Sequence, residues 1–119
     1  MNSSKTGIIL NNYTDVQKAI NDFCTRVNVD PSNAPHGAFW NTLKYDEFTN
    51  GNVPGFNGVK ILEIGSAENS NIIQILIGIG EMAENFGPMP PGVDIDEKAT
   101  IIGELSSWID RECPNDSAI

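Results

Sequence analysis

A single histidine and a methionine between two prolines are the side chains best suited to metal binding in this chain of 119 residues. His36 precedes Gly37 in a turn-forming segment, and prolines on both sides of Met89 restrict its backbone. Imidazole and thioether groups together suit Cu(I). The alternative is structural: His36 bonds backbone carbonyls in a tight turn, and Met89 fills a gap in the packing under its loop. We expect the structural role at both positions, because neither residue makes a site alone.

Other side chains that carry chemistry are poorly arranged for it. Cys24 and Cys113 are too far apart in the sequence for a CxxC pair, which excludes a cysteine-based zinc site and thioredoxin-like redox chemistry. We expect two buried thiols, and a single disulfide is the alternative. Ser66 and Ser70 have no histidine nearby in the sequence, so a hydrolase triad is not expected.

Three acidic residues and three glycines have simple structural interpretations. Asp94, Asp96 and Glu97 are interpreted as favourable charges at a helix N-terminus, because the calcium-loop pattern is absent. The glycines do not form a phosphate-binding loop; they are Gly65, Gly78 and Gly80. We therefore expect no resident metal and no enzymatic activity.

The charge balance excludes several classes of partner. Sixteen acidic side chains stand against seven basic ones, which gives a formal net charge of −9. Recognition of phosphates requires clustered Lys and Arg, so we expect neither nucleic acid nor an anionic membrane surface as a partner. No apolar run approaches the roughly 20 residues of a membrane span. The polar start predicts a cytoplasmic protein, unless that start is processed or trimmed.

Apolar spacing predicts an all-α domain of three to four helices joined by long loops rich in Pro and Gly. A capping box at Thr14 and Gln17 opens the first helix, which ends before Pro31. Its apolar face, with Cys24 beside it, comprises Val16, Ile20, Phe23 and Val27. The last helix runs over 95–113 after a capping box at Asp94 and Glu97, and Ile102, Leu105, Trp108 and Ile109 share one face. We expect these two faces to pack together as the main core.

Between these helices the sequence predicts shorter elements. A short helix is expected over 41–50 with Gly51 at its end, followed by an extended piece over 59–64. A further helix starts within 65–71 and ends at Gly78, and its apolar residues are expected to be buried on most sides: Ile72, Ile73, Leu76 and Ile77. Irregular backbone follows over 86–92. The predicted organisation is a flexible arm at 1–13, one domain at 14–114 and a tail at 115–119.

Four segments in this order resemble the cytochrome c fold over about residues 14–114. They are an N-terminal helix, a loop ending in His36-Gly37, the helix start Gly65-Ser-Ala-Glu-Asn-Ser-Asn71, and Gly87-Pro-Met-Pro-Pro-Gly92 ahead of a helix with Trp108-Ile109-Asp110. In bacterial c-type cytochrome domains a CxxCHG segment attaches haem and supplies an axial histidine, and an M-P-P segment supplies the methionine. The resemblance implies that His36 and Met89 stand at the two ligand positions.

The haem attachment itself is missing. Ser32 and Pro35 occupy the positions of the two thioether cysteines, which excludes covalent haem. Phe39 and Trp40 follow directly, and two such aromatic side chains are large enough to fill much of an emptied pocket. We expect both to be largely buried and to contact the loop that carries Met89.

The resemblance with its missing anchor implies a cofactor-free accessory or binding module. Such a module docks on a partner protein with a basic patch, and a redox enzyme is one class of partner. The alternative is an electron-transfer protein that holds non-covalent haem or copper between His36 and Met89.

Overall fold

Helices make up the regular structure of this protein. The computed structural model describes residues 9–30, 37–56, 58–87, 89–90 and 92–115. The helices are α1 (Tyr13–Arg26), α2 (Phe39–Thr42), α3 (Tyr45–Asn50), α4 (Asn71–Ile77), α5 (Gly80–Phe86) and α6 (Ile95–Asp110), with a 3-10 helix at Ala67–Asn69. In the part of the chain that the structure describes there is no β-strand, which confirms the all-α class, and no helix is long and apolar enough to cross a bilayer. The described residues form six α-helices rather than the three or four expected.

The first helix begins one residue earlier than its predicted capping box. Asn12 is the N-cap, and its side-chain oxygen accepts a hydrogen bond of 2.8 Å from the backbone N–H of Asp15. Asparagine caps at least as well as threonine, and it leaves Gln17 free for a contact outside the helix. Leu10, within the expected N-terminal arm, is fully buried.

α1 and α6 pack together, as their complementary faces predict, but they do not form the main core alone, because α6 packs more extensively on α4 than on α1. Val16 and Phe23 of α1 and Leu105 and Trp108 of α6 are buried in one apolar cluster. One position on α6 differs from the expectation: Ile101 is buried, whereas Ile102 is only half-buried. The helix ends at Asp110 rather than at 113.

The middle of the chain departs more from its predicted elements. The helix expected over 41–50 is interrupted by two extended residues, Leu43 and Lys44, which separate α2 from α3. The expected extended piece forms only an isolated antiparallel bridge between Asn52 and Lys60, although Ile61 and Leu62 are buried. No sequence pattern predicted α5.

The fourth helix presents only part of its apolar surface to the core. Ile73 and Leu76 are buried, but Ile77 keeps 41% of its surface exposed. The prediction of burial on most sides was therefore wrong, because α4 ends at Gly78 in a left-handed conformation (φ 98°) and its last residue lies at the edge of the packed surface.

Candidate functional site

Met89 lies in a segment that is fixed through its backbone. Its N–H donates to the carbonyl oxygen of Ile75 at 2.9 Å, and its carbonyl oxygen accepts a hydrogen bond from Lys98 Nζ at 3.2 Å. The residue is half-buried. His36 lies outside the described residues, as do Ser32 and Pro35, so the pairing of His36 with Met89 stays a prediction.

The partner of the Met89 carbonyl is a buried cation. Lys98 lies in the first turns of α6 and is only 2% exposed. Burial lowers the pKa of Lys98, because the charged ammonium loses its hydration. Lys98 was not among the residues predicted from the sequence. Only its position in the helix indicated burial. Lys98 precedes the inward residues Ile101 and Leu105 by three and seven positions, so it lies on the same helix face.

Phe39 and Trp40 are buried, as expected, at 7% and 6% exposure. Their rings contact each other edge to face with centroids 5.3 Å apart, and the Phe39 ring stacks with Phe48 of α3 at 6.0 Å. Their expected contact with the loop that carries Met89 stays a prediction. The α2 helix that carries them is only four residues long, so it depends on tertiary contacts for its position.

A polar row on α1 supplies those contacts. Tyr13, Gln17 and Asn21 are spaced four residues apart and therefore share one helix face. The Tyr13 hydroxyl reaches the carbonyl oxygens of Trp40 and Leu43, both at 2.8 Å, and Gln17 Nε2 donates to the same Trp40 carbonyl at 2.9 Å. Trp40 Nε1 donates to Asn21 Oδ1 at 2.9 Å.

The polar row explains the burial of Trp40 in chemical terms. The indole N–H has a partner inside the molecule, so the ring can be buried without an unsatisfied donor. Burial, with a smaller effect of Glu47, raises the pKa of Tyr13 to about 12, so its hydroxyl stays protonated. The spacing of Tyr13, Gln17 and Asn21 was visible in the sequence, but nothing in the sequence named their partner.

Both cysteines are buried free thiols, so the disulfide alternative is wrong. Cys113 lies near the start of α1, because its carbonyl accepts a hydrogen bond from Tyr45, whose ring contacts Tyr13. Cys24 lies near the other end of α1, eleven residues after Tyr13, which is about 16 Å along a helix. A disulfide requires Cα atoms within about 7 Å. Burial raises the pKa of Cys113 to about 11 and that of Cys24 in the same direction.

The remaining candidates have structural roles in the described residues. The Glu97 carboxylate accepts a hydrogen bond from the Asp94 backbone N–H at the start of α6, so this half of the predicted capping box is present. The buried Ser70 hydroxyl accepts from the Glu63 N–H at 2.8 Å and donates to the Ser66 carbonyl at 2.9 Å. These bonds tie the segment before α4 together and leave Ser70 without the setting of a nucleophile.

One open groove of about 550 Å³ lies at the C-terminal end of α1, lined by Asn21, Cys24, Thr25, Asn28, Val29 and Asp30. Cys24, which lines this groove, has a thiol with a raised pKa, and the raised pKa disfavours the reactive thiolate. Nowhere in the described ranges do three or more His, Cys, Asp or Glu side chains gather as metal ligands.

The geometry of the described residues therefore offers a fixed Met89 segment, a buried aromatic region around α2, and acidic side chains at helix starts. Comparisons of the chain with protein-family models, with curated proteins and with solved structures found no match.

Proposed function

We propose that this chain is a cofactor-free protein-interaction domain with a cytochrome c-like arrangement, which docks on a partner protein through its acidic surface. The observation that carries the proposal is the burial of Phe39 and Trp40 directly after the His36-Gly37 segment. In the resembling family this part of the chain leads into the haem pocket. Here two aromatic side chains occupy interior space, and the Trp40 indole N–H donates a hydrogen bond to Asn21 of α1.

The packing of α1 on α6 supports the architectural part of the proposal. The resemblance requires an N-terminal helix against a C-terminal one, with the methionine segment just ahead of the latter. Met89 stands six residues before the start of α6, and the Lys98 side chain of that helix holds its carbonyl. The order of elements is thus compatible with the resemblance.

The charge supports the interaction part. A net charge of −9 on a chain of this size produces a field that attracts basic protein surfaces and speeds their encounter. A domain without converging catalytic side chains in its described residues can still act through such a surface.

Haemin and copper titrations test the cofactor-free part. The purified chain is expected to have the mass of the bare polypeptide and to show no haemin spectrum that depends on the two candidate ligands. His36→Ala and Met89→Leu are the control variants. A stoichiometric low-spin haem spectrum, or tight Cu(I) binding against a chromophoric chelator, that is lost in both variants would favour the electron-transfer alternative.

Affinity capture from cells that make the protein tests the docking part. We expect a stoichiometric protein partner whose retention falls as salt is raised, because attraction between opposite charges is screened by salt. A chain that remains alone at low salt, in every growth condition sampled, would contradict the proposal.

A further inference from the structure

The segment around Met89 combines exposed isoleucines with exposed acidic residues. We call residues 75–87, 89–90 and 92–98 the Met89 lobe. Five large apolar side chains among the described residues are strongly exposed, and the lobe contains three of them: Ile77 at 41%, Ile79 at 53% and Ile95 at 50%. Scattered apolar residues on a surface are ordinary, but several on one small lobe mark a contact surface.

The hydrogen bonds of Met89 bring these isoleucines to one region. Its N–H joins the segment to the last turn of α4, two residues from Ile77, and its carbonyl joins it to α6, one turn after Ile95. The chain between Ile75 and Met89, which includes α5, therefore leaves α4 and returns to it.

The turn that carries Ile79 is itself rigidly held. The backbone N–H groups of Gly78 and Ile79 both donate to the carbonyl of Gln74, at 2.8 and 2.9 Å. The φ of Gly80 is 88°, a conformation that favours glycine, and a Cβ there would also displace the end of the Gln74 side chain. Ile79 is therefore exposed on an ordered turn, and an ordered surface loses less entropy when a partner binds.

The exposed charged side chains of the lobe are all negative. Its acidic residues are all exposed, namely Glu81, Glu84, Asp94, Asp96 and Glu97. Its one cation, Lys98, is buried beneath the Met89 carbonyl. A second copy of the chain would bring like charges together across this surface, so it is a poor occupant.

We infer that the Met89 lobe is the docking surface of this protein, and that it takes a basic protein surface carrying apolar side chains at its centre. The isoleucines form the apolar part of the contact, and the surrounding carboxylates select Lys and Arg on the partner. This inference rests on the proposed function and names the surface through which it operates.

A cationic probe peptide tests the assignment. The probe is a synthetic amphipathic helix of Leu and Lys, titrated into the ¹⁵N-labelled full chain. A control peptide has the same Lys positions with Ser in place of Leu. Amide shifts are expected mainly within 75–98, with affinity about tenfold weaker for the Ser peptide and about tenfold weaker when salt rises from about 50 to about 300 mM.

Matched variants separate the lobe from the general acidity of the chain. Ile79→Ser and Ile95→Ser are each expected to weaken binding about five- to tenfold, because they remove an apolar contact without changing charge. Ile64→Ser is the control, since Ile64 is 42% exposed but lies outside the lobe. Equal losses in all three variants, shifts spread over the whole chain, or no measurable binding at low salt would overturn the inference.

These outcomes differ from a failure of the proposed function. Ligand-dependent haem binding would contradict the cofactor-free domain whatever the peptide does. A native partner that is captured equally well by wild type and by the Ile79→Ser/Ile95→Ser double variant would leave the proposed function standing and overturn the assignment of the lobe.

Discussion

The region around α2 and the Met89 lobe are held in opposite ways. The α2 region directs Phe39 and Trp40 inward and is fixed by three polar side chains of α1. The lobe is fixed by hydrogen bonds at the backbone of Met89 and directs three isoleucines outward. The same kind of substitution should therefore affect folding in the first region and binding in the second.

Acidic and basic side chains are also distributed unevenly along the chain. Residues 9–60 carry five acidic and four basic side chains, whereas residues 61–115 carry ten acidic and only two basic ones. The two ion pairs found among the described residues, Lys18 with Asp22 and Lys60 with Glu63, use two of the cations in the first part. Attraction of a basic partner therefore arises mainly from the second part of the chain, which contains the lobe.

The largest effect is expected from Trp40→Ala. Removal of this buried ring leaves a cavity next to Phe39 and breaks the hydrogen bond to Asn21, so the free energy of unfolding should fall by about 3–5 kcal/mol. Urea unfolding measures it. Ile79→Ala is the control in the lobe and should cost less than about 0.5 kcal/mol. Equal losses in the two variants would contradict the distinction between the regions.

Alkaline pH should lower the stability of the folded protein through ionisation of the Cys113 thiol. Its pKa is about 11 in the folded protein, against a usual value of 9.0. Between these values the unfolded state releases a proton that the folded state keeps, so stability is complete below about pH 9 and falls as pH rises. The loss by about pH 11 should be about 2–3 kcal/mol, because one pKa unit corresponds to about 1.4 kcal/mol.

The comparison that isolates this thiol is the pH profile of Cys113→Ala. Urea unfolding at a series of pH values should show a flatter decline between about pH 9 and about pH 11 in the variant, since it has no thiol to ionise. Parallel profiles for the two proteins would show that ionisation of Cys113 does not drive the loss. Tyr13, whose pKa is raised from 10.0 to about 12, contributes its own decline between about pH 10 and about pH 12 in both proteins.

Tyr13→Phe tests the polar row with a smaller effect. The change keeps the ring contacts with Tyr45 and Phe48 but removes the hydroxyl that serves two carbonyls of the α2 segment. Gln17 still serves one of them, so the expected loss is about 1–2 kcal/mol, again by urea unfolding. Thr14→Val is an exposed neighbour and should change stability by less than about 0.5 kcal/mol. A loss at Tyr13 no larger than at Thr14 would show that the row does not hold α2.

The sequence predicted what periodicity determines and missed what depends on distant contacts. The faces of α1 and α6 follow from apolar spacing, because a helix of 14 or 16 residues repeats its pattern several times. The seven residues of α5 begin at Gly80, two positions after Gly78, and show no such repeat. The segment that follows α5 is tied back to α4 by the hydrogen bond from the Met89 N–H to the Ile75 carbonyl.

The candidate site could be predicted only in part, because burial there also depends on distant contacts. The burial of Phe39 and Trp40 was predicted from their size together with the resemblance, which implied an emptied pocket for them to fill. Lys98 was missed because residue type argues for exposure, and only its place on the inward face of α6 indicated otherwise. Ile77 was expected to be buried because it is apolar, but residue type cannot show that a helix ends at the edge of the core.

The smallest effect is expected from Lys98→Met, which tests how the lobe is attached. Methionine has a similar length and no charge, so the variant loses the bond to the Met89 carbonyl and also loses the cost of a buried ammonium. These changes oppose each other, and the free energy of unfolding at neutral pH should change by about 1 kcal/mol or less. Lys60→Met, at an exposed position, is the control.

The pH profile of the same variant gives the sign of the Lys98 contribution. The pKa of Lys98 is lowered in the folded state, so above that lowered value the unfolded state binds the proton that the folded state has released. Stability of the wild type should therefore rise relative to Lys98→Met as pH approaches the usual lysine pKa, and it should be independent of this group at lower pH. A loss above about 3 kcal/mol at neutral pH would instead mean that the charged hydrogen bond from Lys98 is the main support of the lobe. The lobe and the α2 region would then both be held by side chains, and they would differ only in which side chains face the solvent.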